Sequence, residues 1–201
     1  YLWLEKVIAS LDEIERLDVS EVDGRADVTL TREVELPTER ILTSGCGGGI
    51  TFRIDPRLFP QIRSSLRVRP GQLFERMKDL FAAAVYYRSS RGIHGAALSD
   101  ADRLLIVAED VGRHNAVDKI MGEALLKGIP TTDQILLSTG RISSEMLLKA
   151  ARMGVPLVAS RTSPTEMAVG LAEQLGITVV GYLRPESLNV YAGDAVLLGI
   201  R

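Results

Sequence analysis

The chain has little of what metal sites and disulfide frameworks require. Its 201 residues include one cysteine, Cys46, and two histidines, His94 and His114. A single thiol cannot form an intrachain disulfide, and it cannot supply a zinc site that is built on several thiolates. The composition therefore predicts no bound zinc or other resident metal, and a lone thiol is typical of a protein in the reducing cytoplasm.

Excess charge and long apolar runs are also scarce. The formal net charge is −2, whereas proteins that follow nucleic-acid phosphates are usually basic. No apolar run approaches the roughly 18 residues of a membrane span. Hydrophobic residues make up 46% and charged residues 25%, which is typical of globular domains. We therefore expect a globular protein that binds neither nucleic acid nor a membrane.

The first third of the chain predicts a small region of its own, over residues 1–66. Residues 1–11 have the spacing of a short amphipathic helix. Asp23 and Gly24 lie between two alternating runs, which predicts a β-hairpin with a tight turn. Residues 36–70 hold four prolines and the glycine cluster at 45–49, so we interpret them as loops and a linker.

The remainder, residues 67–201, alternates between helical and strand patterns. Apolar residues at helical spacing predict one helix over 71–88. Further helices are predicted at 112–128, 143–153 and 164–175, and buried strands at 103–110, 134–139, 156–160 and 177–183. Ser143 and Ser163 are the expected N-caps of the last two helices. This alternation predicts an α/β fold with a mostly parallel sheet and helices on both faces.

The turns that follow three of these strands contain an arginine each: Arg113, Arg141 and Arg161. Ligands of open α/β sheets bind beyond the carboxyl ends of the strands. If the strands are parallel neighbours, the three arginines and three helix N-termini face one crevice. Exposed amides and the positive ends of helices suit a phosphate or pyrophosphate.

Cys46 is the candidate nucleophile. It stands in the run TSGCGGG at 43–49, where no large side chain flanks it, so the thiol is expected to be accessible and the loop able to approach a partner closely. A thiolate of this kind can attack a donor persulfide and store its terminal sulfur. The alternative is a small buried hydrophobe or a bystander in a loop.

Three further residues allow two interpretations each. His94 and His114 could act as general bases or contact a cofactor. Otherwise, residues 110–115 form a helix-start turn that includes His114, and His94 is a hydrogen-bonded surface histidine. Ser143 could be a catalytic serine, but its position before a helix favours an N-cap.

Several segments together resemble the FdhD family. They keep the order and spacing of that family from about the first predicted helix to the C-terminus, and the run at 109–119 is the most specific. The segments are TSGCG at 43–47, GIHGAA at 92–97, EDVGRHNAVDK at 109–119, STGRISSEM at 138–146, SRTSPT at 160–165, GYLR at 181–184 and LNVY at 188–191.

The resemblance implies a cytoplasmic sulfurtransferase that serves formate dehydrogenase. Such proteins take sulfur from a cysteine desulfurase as a persulfide, here on Cys46. They pass it to the molybdenum or tungsten atom of the bis-guanine-dinucleotide molybdopterin cofactor, which they bind transiently. The resemblance also implies homodimers and a three-layer α/β/α sandwich similar to cytidine deaminase, with a mostly parallel or mixed sheet and a smaller N-terminal region. Family members usually have more sequence before the point that matches Tyr1, so we expect the N-terminal region to be incomplete.

The same resemblance points to a cofactor site. It matches one segment to a stretch with which the family holds the guanine dinucleotide, namely Tyr182, Leu183, Arg184, Pro185, Glu186 and Ser187. Tyr182 and Arg184 could stack on guanine while Glu186 accepts from its N–H groups. The alternative is a solvated turn at the end of a strand. His94, Arg113, His114, Arg141 and Arg161 complete the expected set of cofactor contacts.

One departure from the family concerns the cysteine loop. Many members have a Cys-x-x-Cys pair there, whereas the second position of this chain is Gly49. Cys46 can still hold a persulfide, but it cannot resolve it as an internal disulfide. A second hypothesis is therefore a chaperone that binds the molybdenum cofactor without persulfide chemistry. A zinc deaminase is disfavoured because the zinc thiolates and the His-x-Glu motif are missing.

Overall fold

The structure, a computed structural model, describes residues 1–34, 59–193 and 196–199, and the backbone of two short strands at 40–42 and 50–52. Its strands are β1 (Ile14–Ser20), β2 (Arg25–Leu30), β3 (Arg40–Leu42), β4 (Ile50–Phe52), β5 (His94–Ser99), β6 (Leu104–Asp110), β7 (Ile135–Ser138), β8 (Leu157–Ser160), β9 (Thr178–Arg184) and β10 (Ser187–Ala192). Its α-helices are α1 (Pro70–Ala83), α2 (Val85–Ser90), α3 (Arg113–Lys127), α4 (Ser144–Arg152) and α5 (Glu166–Leu175).

The N-terminal hairpin is confirmed and the N-terminal helix is wrong. Strands β1 and β2 pair antiparallel around Gly24, whose φ of +60° suits the turn. Residues 1–10 form turns instead, and a short 3₁₀ helix follows at Leu11–Glu13. The apolar side chains of this segment divide between two clusters, since Leu4 enters the main core whereas Val7 and Ile8 pack near the hairpin. A single amphipathic helix face could not serve both.

A mixed six-stranded sheet forms the centre of the fold, in the order β10-β9-β8-β7-β5-β6. Strands β7, β8 and β9 are parallel, β10 is antiparallel to β9, and β5 is antiparallel to both β7 and β6. The expected side-by-side pairing of the parallel strands is thus wrong at one place, because β5 separates β6 from β7. Strand β6 nevertheless runs in the same direction as β7, β8 and β9.

Two strands of this sheet were not predicted from the sequence. Strand β5 has the sequence HGAALS, in which glycine and alanine have low strand propensity, so its pairing depends on two neighbouring strands. Strand β10 follows β9 after a short turn and pairs back onto it. The hairpin of β9 and β10 therefore replaces the expected end of the sheet at β9.

Helices cover both faces of the sheet, which confirms the three-layer α/β/α arrangement. On one face, side chains of α1 meet the sheet in a buried cluster that includes Leu73, Met77, Leu80, Ala97, Leu137 and Val180. On the other face, α3, α4 and α5 bury a larger cluster that includes Ile120, Leu136, Met146, Leu147, Val158 and Leu171. The sheet thus has an α1 face and an α3 face.

The helix predicted over 71–88 is divided at Ala84, which has a ψ of 84° and a fully buried side chain. Helices α1 and α2 lie on either side of this break. The amides of Tyr86 and Tyr87 donate to the carboxylate of Glu109 instead of to carbonyls of the preceding turn. A side chain from a distant strand therefore ends one helix and begins the next.

The remaining helix ends follow the predicted signals with one exception. Gly128 and Gly176 end α3 and α5 in the left-handed conformation, with φ of +62° and +70°. The N-cap of α5 is Thr165, whose hydroxyl accepts from the Ala168 amide, and Ser163 is the wrong residue. The Ser163 carbonyl instead accepts from the Ile142 amide, which keeps the chain extended up to Thr165.

The N-terminal segment also contacts the α/β part of the chain, residues 67–201, through charged side chains. Lys149 of α4 forms ion pairs with Asp118 of α3 and with Glu5. The side chains of Lys149 and Glu5 are buried, so each needs its partner. The division of the chain at residues 66 and 67 stays a prediction. In the part of the chain that is described, no helix is long and apolar enough to cross a bilayer.

Candidate functional site

One edge of the sheet gathers most of the predicted site residues. The carboxyl ends of β6, β7, β8 and β9 lie there with the first residues of β5 and β10, because those two strands run in the opposite direction. The expected common edge is therefore present despite the inserted strand β5. The side chains at this edge separate onto the α1 face and the α3 face.

Glu109 and Asp110 illustrate this separation, since successive side chains of a strand point to opposite faces. Glu109 lies on the α1 face, where its carboxylate accepts from the Tyr86 amide at 3.2 Å and the Tyr87 amide at 2.6 Å. These amides belong to the first turn of α2, whose donors have no partner within the helix. Glu109 therefore joins β6 to the start of α2.

Asp110 performs the corresponding task on the α3 face. Its carboxylate accepts from the Gly112 amide at 2.9 Å and the Asn115 side chain at 3.1 Å, and it pairs with Lys119 at 2.6 Å. Burial alone would raise the pKa of Asp110, but these three donors hold the pKa below its ordinary value. The helix-start interpretation of residues 110–115 is therefore confirmed.

The turns after β7 and β8 are fastened to each other. The Ser160 hydroxyl donates to the Gly140 carbonyl at 2.6 Å, and the Arg161 amide donates to the Ser138 carbonyl at 3.1 Å. Gly140 is closely surrounded, because a Cβ atom there would lie 3.0 Å from the Arg113 side chain and 3.1 Å from Nδ1 of His94, so these side chains would have to give way slightly. The turn after β7 thus packs directly against two predicted site residues.

On the α3 face, four residues form what we name the histidine cluster: His94, Arg113, His114 and Ser143. His114 is buried, and its Nε2 atom lies 2.9 Å from the Ser143 hydroxyl. Ser143 also accepts from the Met146 amide and so caps α4, as predicted. Burial, and then the positive charges of Arg113 and Lys149, lower the pKa of His114 to about 4. His114 is therefore neutral at physiological pH.

His94 begins β5 and is half-buried. Its Nδ1 atom is buried and has no hydrogen-bond partner among the described residues. Burial and the neighbouring Arg113 lower the pKa of His94 below its ordinary value. The alternative of a hydrogen-bonded surface histidine is therefore wrong for this ring nitrogen, which faces the Gly140 turn.

Arg113 and Arg141 lie near each other beside this cluster. Burial and the charge of Arg141 lower the pKa of Arg113, while Glu145 opposes the effect. Arg141 itself is exposed. Two neighbouring guanidinium groups at the starts of α3 and α4 form a positive region, although Arg113 is partly buried against the Gly140 turn.

On the α1 face, the same edge opens into a cavity of about 410 Å³, which we name the cationic cavity. Five basic side chains and one acidic side chain line it, together with aromatic and aliphatic groups. The lining residues are Phe74, Glu75, Met77, Lys78, Phe81, Arg88, Arg91, Arg161, Leu183, Arg184 and Pro185. Its volume lies within the roughly 300–1,000 Å³ of small-molecule sites, and its charge suits a phosphorylated ligand.

Aromatic rings hold two of the cavity's guanidinium groups. The Arg161 guanidinium lies 5.2 Å from the centre of the Phe81 ring, and that of Arg91 lies 5.5 Å from the Tyr87 ring. The Phe81 and Tyr87 rings are themselves 5.5 Å apart. Contacts of this kind orient an arginine while its N–H groups can still reach a ligand.

The predicted cofactor residues divide between the cavity and its surroundings. Arg161, Leu183, Arg184 and Pro185 line the cavity. The histidine cluster and Arg141 lie outside it, and so do three residues of the 182–187 segment. They are Tyr182, which is 39% exposed with a φ of +48°, Glu186, which is exposed in the turn, and Ser187, which pairs with Arg184 in the β9–β10 hairpin.

Sequence reasoning missed the contribution of helices α1 and α2 to the cavity. Phe74, Lys78 and Phe81 of α1 follow each other at intervals of four and three residues, which places them on one side of the helix. Arg88 and Arg91 lie at the end of α2. The spacing was visible in the sequence, but nothing in it showed that this side of α1 borders a cavity.

Two further predictions concern the thiol and metals. Cys46, the predicted sulfur-carrying residue, lies outside the described residues. No group of three or more histidine, cysteine, aspartate or glutamate side chains that could hold a metal ion occurs among the described residues. The cationic cavity, which arginine and aromatic side chains line, is a candidate site for an anionic ligand.

Comparison with known proteins supports a single family. The sequence profile of the FdhD/NarQ family matches residues 1–197. The chain is 39% identical over 197 residues to the sulfur carrier protein FdhD of Bacillus subtilis and 40% identical to that of Bacillus pumilus, covering 95% of this chain and 75% of each relative.

A solved structure agrees with this assignment. The crystal structure of a formate dehydrogenase accessory protein from Desulfotalea psychrophila superposes with a TM-score of 0.78 at 28% identity, covering 98% of this chain and 76% of that one. The match extends over both the hairpin region and the α/β sheet. From the family profile, the sequence relatives and this structure, we conclude that the chain belongs to the FdhD/NarQ family.

Proposed function

We propose that this protein is a sulfur carrier for formate dehydrogenase, with Cys46 as the residue that holds the sulfur. The observation that carries the proposal is the family membership, since its sequence relatives are named sulfur carrier proteins. Cys46 is the only cysteine of the chain and stands in a glycine-rich run. It is thus the one side chain able to hold a persulfide.

In the proposed reaction, the Cys46 thiolate attacks the terminal sulfur of a persulfide on a cysteine desulfurase. A new sulfur–sulfur bond forms on Cys46, and the donor's bond breaks with its electron pair remaining on the donor thiolate. The stored sulfur then passes to the bis-guanine-dinucleotide molybdenum cofactor. That step needs two electrons, which the reduced metal of this acceptor supplies, and it leaves Cys46 as a thiolate.

The cationic cavity is the proposed binding place for one guanine dinucleotide arm of the cofactor. Arg161 and Arg184 would contact the pyrophosphate, and the Phe81 side of the cavity would receive apolar surface. The residues present fit such a group, because five basic side chains and two phenylalanines line one cavity of suitable size. Contacts from Tyr182, Glu186, Ser187 and the histidine cluster stay predictions.

Replacement of Cys46 tests the carrier role. After incubation with a cysteine desulfurase and cysteine, the intact mass of the wild type should rise by one sulfur atom, and Cys46→Ala should show no such rise. Cys46→Ala should also fail to activate formate dehydrogenase, whereas GDP binding and the circular-dichroism spectrum should match the wild type. Native mass measurement of the same samples checks the proposed homodimer.

The outcomes separate the two hypotheses for Cys46. Full activation of formate dehydrogenase by Cys46→Ala would contradict the carrier role and favour a chaperone that binds the cofactor without persulfide chemistry. The proposed cytoplasmic location accords with the same role, because the reducing cytoplasm keeps a lone thiol from forming disulfides.

A further inference from the structure

We propose that Glu109 is a positioning residue for the cationic cavity, because its carboxylate holds helix α2 where Arg88 and Arg91 border the cavity. The inference rests on the proposed function, since it takes the cavity to be a ligand site. Glu109 does not line the cavity itself. It acts through the backbone of α2.

Helix α2 needs an external anchor. It has six residues and none of them is buried, with Val85 55% and Tyr86 65% exposed. Isolated helices shorter than about 12–15 residues are marginal in water, and of the six residues of α2 only Tyr87 packs against an apolar cluster. Its position therefore depends on a few specific contacts at its ends.

Glu109 supplies the contact at the first turn of α2. Its two carboxylate oxygens accept from the Tyr86 amide at 3.2 Å and the Tyr87 amide at 2.6 Å. Hydrogen bonds to an ionised carboxylate are about twice as strong as those between neutral groups. Strand β6, which carries Glu109, is fixed in the sheet by its pairing with β5. The anchor is thus attached to a rigid element.

A chain of contacts leads from this anchor to the arginines. The Tyr87 ring contacts the Arg91 guanidinium at 5.5 Å and the Phe81 ring at 5.5 Å, and Phe81 contacts Arg161 at 5.2 Å. Tyr87 is also the residue whose amide makes the shorter bond to Glu109. A shift of α2 would therefore move Arg91 directly and loosen the ring that supports Arg161.

The ligand that this arrangement of α2 would help to bind is an anion with several phosphate oxygens. Arg88 and Arg91 add two positive charges from the end of α2 to a cavity that Arg161 and Arg184 line from the ends of β8 and β9. Guanidinium groups from two sides can hold a pyrophosphate more firmly than groups from one side. Glu109 would thus influence affinity for the phosphates rather than for the base.

The test measures GDP binding by calorimetry in the wild type, Glu109→Ala and Glu109→Gln. We expect Glu109→Ala to weaken GDP about tenfold, because the fraction of α2 in the competent position falls. Glu109→Gln keeps an acceptor without the charge and should lose about threefold. Glu123→Ala is the matched control, because Glu123 is a partly exposed carboxylate of α3 that pairs with Lys127, and this variant should bind GDP as the wild type does.

Two readouts separate positioning from a general loss of stability. Amide hydrogen exchange at Tyr86 and Tyr87 should accelerate in the Glu109 variants while exchange in β7 and β8 stays slow. In an Arg88→Ala, Arg91→Ala background, Glu109→Ala should add less than about a twofold further loss, since contacts that act as a unit are not additive. An undiminished tenfold loss in that background would overturn the role of α2.

The remaining outcomes distinguish this inference from the proposed ligand site. If the wild type does not bind GDP, the ligand site itself is contradicted and the positioning role with it. If the wild type binds GDP and both Glu109 variants bind equally well, only the positioning role is overturned. Should Glu109→Ala fail to fold, the Glu109→Gln result decides by the same criteria.

Discussion

On the α1 face of the sheet edge, Arg88, Arg91 and Arg184 are exposed and border an open cavity. On the α3 face of the same edge, His114 is buried, and it is hydrogen-bonded to the Ser143 cap of α4. Of these residues, Arg184 and His114 were predicted from the sequence as cofactor contacts. The difference teaches that a basic residue near a strand end becomes available to a ligand only if the adjoining helix leaves space beside it.

The electrostatics of the two faces differ in the same way. In the histidine cluster, burial lowers the pKa values of His94, Arg113 and His114, so the protein disfavours further charge there. In the cationic cavity, the arginines keep contact with solvent and with aromatic rings, and their charge remains available. We therefore expect pH to affect protein stability through the histidine cluster on the α3 face. We expect ligand binding to depend on the cationic cavity on the α1 face.

The largest expected effect is the pH dependence of stability that His114 causes. Its pKa falls from 6.5 to about 4 on folding, so the unfolded chain binds more protons within that window. Stability should therefore decrease as the pH falls from about 6.5 to about 4, by about 3 kcal/mol in total. Urea unfolding of the wild type and His114→Gln across this window measures the difference.

His114→Gln should show a weaker fall in stability over the same window, with His94 and the carboxylates still contributing. GDP affinity of the folded variant should equal that of the wild type. An identical pH profile for the two proteins would mean that His114 is not held neutral by burial. That result would contradict the electrostatic difference between the two faces.

The next effect concerns ligand binding at the cavity. Arg184→Ala should weaken GDP by about 1–3 kcal/mol because a charge-assisted contact is lost, with ADP binding less tightly than GDP in both proteins. Arg103→Ala is the matched control, because its side chain is 78% exposed and lies in the turn between β5 and β6 at the opposite end of the sheet. Calorimetry of the three proteins gives the affinities.

Arg141→Ala sharpens this measurement, since Arg141 is exposed beside the histidine cluster. A loss of GDP affinity as large as that of Arg184→Ala would show that the ligand extends across the edge onto the α3 face. Equal affinity for GDP and ADP, or no effect of Arg184→Ala, would instead move the guanine site away from the cavity.

The smallest effect is expected from Ser143→Ala. Loss of an N-cap hydroxyl costs about 1 kcal/mol of stability, and here it also removes the partner of His114. Thermal unfolding should show the decrease while GDP affinity stays at the wild-type value. A stable Ser143→Ala protein with weakened GDP binding would contradict the structural role of this serine and assign it to the ligand.

Sequence patterns determined the local elements wherever one segment contained the whole signal. The hairpin turn at Gly24, the αL glycines at 128 and 176, the Ser143 cap and the strands at β7, β8 and β9 each depend on neighbouring residues, so they could be predicted. The family was identifiable in the same way, because its motifs are continuous segments with fixed order. The lone Cys46 also required only the sequence to be noticed.

Tertiary structure alone decided which residues share a site. The break at Ala84 depends on Glu109, which lies 25 residues further along the chain, and strand β5 forms only because β6 and β7 receive it on both sides. No local pattern encodes such pairings, since they arise when distant segments satisfy each other's hydrogen bonds. Pairing between distant segments also brings Phe81, Arg88 and Arg91 beside Arg161 and Arg184, and so forms the cationic cavity.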